Sequence, residues 1–239
     1  MSIDALGEQL SNPVGTRETQ FLPFTVSLVS TASELAEAIA LRSSAYARHK
    51  APAAELMKDP EEDDGRDDIV LLIARSKFDG GVVGTMRINP NLVHPMHLES
   101  AVTLPEPFAS SSCAEFMRLG VTNGPGGRLV TSALAKTSYE ICVACGIDYI
   151  FVGSRPSVEA VYRGYMFDDL LGKRIELSYA AGVPHRILCL PVREAEERWR
   201  RAAGTVYQFF VRTEHPDIRV DYAAIARRLS APEALERVA

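Results

Sequence analysis

The stretch CAEFMRLGVTNGPGG, residues 113–127, decides how the whole chain is read. It begins as an apolar β-type run, ends in a glycine-rich turn, and carries Glu115 and Arg118 three positions apart inside the run. Successive side chains on a regular strand point to opposite faces, so a spacing of three separates the two charges. Either the strand is bent or the charges serve different partners.

Working outward, NGPGG leads into RLVTSALAKTSYEICVACG, a helix with apolar residues at 129, 130, 133, 134, 141 and 145, closed by Gly146. IDYIFVG (147–153) is an apolar strand, and SRPSVEAVYRGYMFDDLL (154–171) is predicted as one helix, with Ser154 or Ser157 as cap and Pro156 in its first turn. RIELSY (174–179) and HRILCLPV (185–192) are further strands, and amphipathic helices fill the remainder to Ala239. Upstream, FTVSLV (24–29) is a strand, and Thr31 or Ser33 caps a helix through ASELAEAIALRSSAYARH. DIVLLIAR (68–75) and GVVGTMRI (81–88) form a hairpin through the Asp-Gly-Gly of KFDGG. Hairpins thus flank a central strand-helix-strand unit whose strands should be parallel. The fold class is α/β, a mixed sheet with helices on both faces. An N-terminal extension (1–23), a central domain (24–192) and a C-terminal helical extension (193–239) packed on it are expected.

With 239 residues, 46% of them hydrophobic, the chain can bury a sizeable core. A net charge of −5 argues against nucleic acid as a partner, since phosphate binding needs a surplus of Lys and Arg. No apolar run is long enough for a transmembrane segment. MSIDALGEQLSN lacks the basic start and apolar centre of a signal peptide, so a cytoplasmic location is expected. The four cysteines then read as reduced, and Cys142 and Cys145, inside a helical pattern, as structural. His94 and His97 lie in a proline-rich loop without further ligands, and no metal is expected. Charge is uneven. Residues 55–68 hold eight acids against two bases and read as a solvated loop, whereas residues 173–212 are rich in arginine and suit an acidic partner.

Three segments, GVVGTMRI, CAEFMRLGV with its following helix, and IDYIFVGS leading into SVEAVYRGYMF, resemble the GNAT N-acyltransferase superfamily across residues 24–192. Ala160, Tyr162 and Phe167 are similar to the family's Ala-x-x-Tyr-x-x-x-Gly-Phe pattern, with the alanine shifted and Met166 in place of the glycine. Arg42, Tyr46, the D-x-x-D of Asp64 and Asp67, the G-x-x-R of Gly84 to Arg87 and the E-x-x-R of Glu115 to Arg118 resemble the acyl-homoserine lactone synthases. They resemble the related FeeM-type N-acyl amino acid synthases more closely, because ARHKAPAAEL (47–56) lacks the tryptophan usual in the lactone branch. The CoA-binding turn R/Q-x-x-G-x-G/A is also missing, since Leu129 and Thr131 stand where it has small residues.

The resemblance implies a GNAT-like fold and transfer of a long acyl chain from the phosphopantetheine arm of acyl carrier protein to the amine of an amino acid. No permanently bound cofactor is implied. An autoinducer synthase using S-adenosylmethionine, a CoA-dependent acetyltransferase and a non-catalytic acyl-binding module remain alternatives. In such a site Glu115 is the candidate base or amine anchor, and Tyr162 the acid toward the departing sulfur. Arg42, Arg87 and Arg118 are candidates for the amino acid's carboxylate, beside Tyr46, Asp64 and Asp67. The family's central strand is bulged, and the resemblance implies a bulge here that exposes backbone amides around Leu119, Gly120 and Val121 to hold the oxyanion, breaks the period of two and can turn Glu115 and Arg118 toward one cleft. Phe116, Met117, Phe151, Val152 and Met166 are candidates for lining an acyl tunnel.

Overall fold

A computed structural model describes residues 17–48, 54–55, 57–180 and 182–230. The start of the N-terminal extension, most of ARHKAPAAEL and the final expected helical segment, 231–239, lie outside the described residues. The strands are β1 (Glu18–Thr19), β2 (Phe24–Leu28), β3 (Val70–Ser76), β4 (Val82–Pro90), β5 (Cys113–Val121), β6 (Tyr149–Ser154), β7 (Asp168–Glu176), β8 (Pro184–Pro191) and β9 (Thr213–Glu214). The main helices are α1 (Ala32–Ala47), the short α2 (His97–Ala101), α3 (Gly127–Ala144), α4 (Pro156–Gly164), α5 (Val192–Ala202) and α6 (Tyr222–Leu229). Thr31 caps α1 in a capping box with Glu34. No described helix is long and apolar enough to cross a membrane.

Seven strands form one sheet in the order β2-β3-β4-β5-β6-β8-β7. Every neighbouring pair is antiparallel except β5 and β6, which run parallel as the intervening helix requires. The alternation of β4 explains how helices cover both faces. Gly84 faces α3, where an added Cβ would lie 2.4 Å from Val130 Cγ1. Met86 and Ile88, two and four residues on, share that face and belong to the main core with Phe116, Val130 and Leu134. Thr85 points the other way and pairs with Gly120, where a Cβ would lie 3.2 Å from the Cα of Arg42 on α1. Arg87 and Asn89 follow on the α1 side, both buried.

The bulge implied by the family resemblance, one of the two answers that the spacing of Glu115 and Arg118 left open, is present in β5. Thr85 pairs with Gly120 and Arg87 with Met117, so β5 spends one more residue than β4 over this interval. Arg118 has φ of 55°, a left-handed conformation that costs a residue with a side chain about 1–3 kcal/mol. Such strain persists only where surrounding contacts enforce it.

The helix expected over 154–171 is shorter in the structure. It ends at Gly164, and Asp168 already belongs to β7. Phe167 N–H bonds Tyr162 C=O at 3.1 Å and Met166 N–H bonds Arg163 C=O at 3.0 Å, the paired bonds of a Schellman stop. The left-handed residue of that stop is Met166, φ 65°, so the usual glycine signal was absent from the sequence. Met166→Gly is expected to stabilise the fold by about 1 kcal/mol, measured by urea unfolding, because glycine takes this conformation without a Cβ penalty.

The segment after β8 is woven into the domain. Trp199 of α5 is buried, with its ring 4.8 Å from Tyr139 and 4.9 Å from Phe210, and its Nε1–H donates to Tyr165 C=O at 3.0 Å. Buried Lys136 donates to the carbonyls of Phe209 (3.1 Å) and Thr213 (2.5 Å), fixing the turn that leads to β9. β9 pairs with β1, and beyond it Val26 N–H donates to Asp217 C=O at 2.9 Å while Arg219 N–H donates to Val26 C=O at 2.8 Å.

Candidate active site

β5 and β6 are paired only from Cys113 to Glu115 and from Tyr149 to Phe151. Beyond that point the two strands part, and the side of Phe116 to Val121 that faces β6 has no strand partner among the described residues. A cavity of about 290 Å³ opens at this fork. Its walls are Tyr46 of α1, Glu115 to Arg118 of β5, Gly153 of β6, Arg155 to Ser157 at the start of α4, and Leu177, Tyr179, Ala180, Val183 and His185 around the β7–β8 turn, with Met57. Gly153 keeps the β6 wall low. A Cβ there would meet Leu177 Cδ1 at 2.9 Å, and His185 and Tyr179 Oη lie within 4 Å of the same point.

Glu115 and Arg118 both face this cavity, which is the geometric outcome of the bulge. Glu115 is 1% exposed; its Oε2 accepts Leu98 N–H at 3.0 Å and its Oε1 accepts the Tyr179 hydroxyl at 2.6 Å. Burial raises the Glu115 pKa, and those two hydrogen bonds oppose the rise without cancelling it. Asn89 stands directly opposite Glu115 in register and is completely buried, and neither end of its amide has a partner among the described residues.

The acidic segment is a solvated loop only in part, with Glu55, Asp59, Glu62 and Asp67 exposed. It folds down onto the α1 face, where Asp63 and Asp68 are buried and the Asp64 side chain is wholly enclosed. Arg42 donates to both oxygens of Asp64 at 3.0 and 2.7 Å, and Arg118 to both oxygens of Glu61 at 2.8 and 2.6 Å. Arg87 lies among Glu61 (3.0 Å), Asp64 (3.1 Å) and Asp63 (3.2 Å). Three guanidiniums inside a folded domain need counter-charges, and this segment supplies them. They are therefore engaged within the chain rather than presented to a ligand. Burial disfavours ionised Glu61, but the charges of Arg118, Arg87 and Arg42 overcome it and hold its pKa below the ordinary value. His97 hydrogen-bonds Asp63, and His94 lies 3.2 Å from Asp68. No cluster able to hold a metal occurs among the described residues. Asp67 lines a different small cavity with Val29 and Arg228.

Other expected residues are placed elsewhere. Tyr162 does not line the cavity. It packs in an aromatic cluster, 5.5 Å from the Phe167 ring and 6.3 Å from that of Tyr165, and burial pushes its hydroxyl pKa up. Phe116 and Met117 reach the cavity, but Phe151 packs with Met96, Cys113 and Ile187, and Val152 lies in the main core. Met166 is exposed at the helix stop. Leu119, Gly120 and Val121 lie beyond the lining, with Gly120 pressed against α1 and Val121 C=O accepting Arg48 at 2.5 Å. The basic stretch is largely neutralised within the chain. Arg174 and Arg186 bond Glu159, Arg193 bonds Asp148, Arg198 bonds Asp168, and Arg200 and Arg201 bond Glu197.

Most of the cavity wall outside β5 was missed from the sequence, and two of its polar residues, Tyr179 and Arg155, bear on the chemistry. Tyr179 lies 64 positions from Glu115, in a turn without a motif. Arg155, just before α4, stacks 4.9 Å from the centre of the Tyr46 ring and has no carboxylate partner among the described residues.

No protein-family model and no curated protein matches the chain. Solved structures do. FeeM, an N-acyl amino acid synthase from uncultured soil microbes, superposes with a TM-score of 0.58 at 12% identity, over 75% of this chain and 96% of that one. The CoA-dependent acyl-homoserine lactone synthase BjaI, with SAM and isopentyl-CoA, gives 0.53 at 15% identity over 85% and 99%. TofI, in a ternary complex with an inhibitor and MTA, gives 0.50 at 17% over 72% and 92%. At these identities the likeness is one of architecture, and the chain has the GNAT-like N-acyltransferase fold that these structures share.

Proposed function

We propose that the chain is an N-acyltransferase that moves a long acyl group from an acyl carrier protein thioester to the amine of an amino acid. The observation that carries this assignment is a buried carboxylate of raised proton affinity, Glu115, on the wall of a mainly apolar cavity where two parallel strands part. Amide formation needs an unprotonated amine and a group to take the proton lost on attack; Glu115 is placed for both tasks. Arg155 supports an acceptor bearing a carboxylate, because it is the cavity guanidinium that the acidic segment leaves unpaired. Amides on the unpaired side of β5 suit the developing oxyanion. The missing CoA turn at the start of α3 favours the carrier protein as donor.

The test is incubation with acyl carrier protein thioesters, acyl-CoA, pooled amino acids and S-adenosylmethionine, read by mass spectrometry. An N-acyl amino acid made from the carrier thioester is the expected product. A lactone formed only with S-adenosylmethionine, or turnover of acetyl-CoA alone, would replace the assignment.

A further inference from the structure

We infer that Tyr179, from the β7–β8 turn, is the acid of the transfer and works as a proton relay with Glu115; this rests on the acyl-transfer assignment above. Tyr179 reaches the fork from outside the two strands that form it. Its hydroxyl donates to Glu115 Oε1 at 2.6 Å on the β5 side and stands 3.9 Å from the position a Cβ would take on Gly153, on the β6 side. The phenol therefore spans the gap between the parted strands, and a side chain at Gly153 would crowd it. The other candidate, Tyr162, lies outside this cavity.

The relay balances. The lone pair of the neutral amine forms the C–N bond at the thioester carbonyl, and the amine's proton passes to Glu115. The C–S bond then breaks with its electron pair on sulfur, and the Tyr179 proton passes to that sulfur. Glu115 returns its proton along the 2.6 Å hydrogen bond to the phenolate, so both groups regain their starting state. Leu98 N–H, on the other oxygen, holds the carboxylate in place throughout.

Tyr179→Phe keeps the ring and removes the proton. With a pantetheine thioester, the variant is expected to lose about 100-fold in kcat with little change in KM for the donor. With a nitrothiophenyl thioester, whose thiolate leaves without protonation, wild type and variant should turn over at similar rates. An equal loss on both donors would overturn the acid role, as would a variant as fast as wild type on the pantetheine donor. Carbon-13 titration of labelled Glu115 gives an arm that needs no turnover. Its pKa should rise further in the variant, because the phenol favours the carboxylate form; an unchanged value breaks the relay. Wild-type protein that makes no amide from any thioester would sink the acyl-transfer assignment itself, whereas turnover unaffected by Tyr179→Phe would sink the relay alone.

Discussion

Glu115→Gln is expected to lower turnover by roughly 10²–10⁴-fold while leaving the protein at least as stable as wild type in mildly alkaline buffer. Glutamine fits the same space: its oxygen accepts Leu98 N–H and its amide can donate to Tyr179 Oη, while the Tyr179 hydroxyl hydrogen, which loses its carboxylate acceptor, can turn toward the cavity. What it lacks is the ability to take a proton from the amine. The stability follows from linkage. The folded pKa of Glu115 lies above its unfolded value, so its contribution is complete below the unfolded pKa of about 4.3 and is lost as pH rises through the folded pKa. The variant cannot ionise and escapes that loss. Activity assays beside urea unfolding across pH check both halves, and a variant that unfolds more easily at every pH would show Glu115 to be structural.

Arg87→Met should have the largest effect on stability, a loss of about 3–5 kcal/mol near neutral pH. Methionine approximates the aliphatic stem, but Glu61, Asp63 and Asp64 lose a guanidinium that touches all three. Their pKa values are depressed in the folded protein, so their contribution is present above the unfolded values and is lost as pH falls through the folded ones. Without Arg87 the depression is smaller, and wild type and variant should converge in acid. A gap that stays constant down to acid pH in urea melts would show that packing, rather than charge, accounts for the loss.

The order of strands and helices was legible because the strands are short apolar runs bounded by turn residues, Thr31 or Ser33 offers a cap for α1, and α3 has clear helical spacing. The bulge was legible only in part: an acid and a base three residues apart leave either a bent strand or separate partners, and the family resemblance supplied the choice. The stop of α4 was not, because Met166 occupies the left-handed position and gives no glycine signal. Local charge counts left out distant partners at two places. The acids of 61–68 read as solvent-facing until Arg42, Arg87 and Arg118, distant in sequence, are brought beneath them. The arginines after Lys173, which read as suited to an acidic partner, also have Glu159, Asp168 and Glu197 beside them. Tyr179 carried no local sign at all, since its meaning lies in one contact across the sheet.

The hydrogen bonds that tie Val26 to Asp217 and Arg219 do more than hold the tail. They occupy the outer rim of β2, so a second molecule cannot add a strand there. At the opposite rim, β7 is interrupted between Asp169 and Arg174, turns through a left-handed Gly172 and displays Asp168, Lys173 and Glu176, all of which discourage pairing with another chain. Occupancy guards one margin and irregularity with charge guards the other, which closes strand addition as a route to fibrous self-assembly.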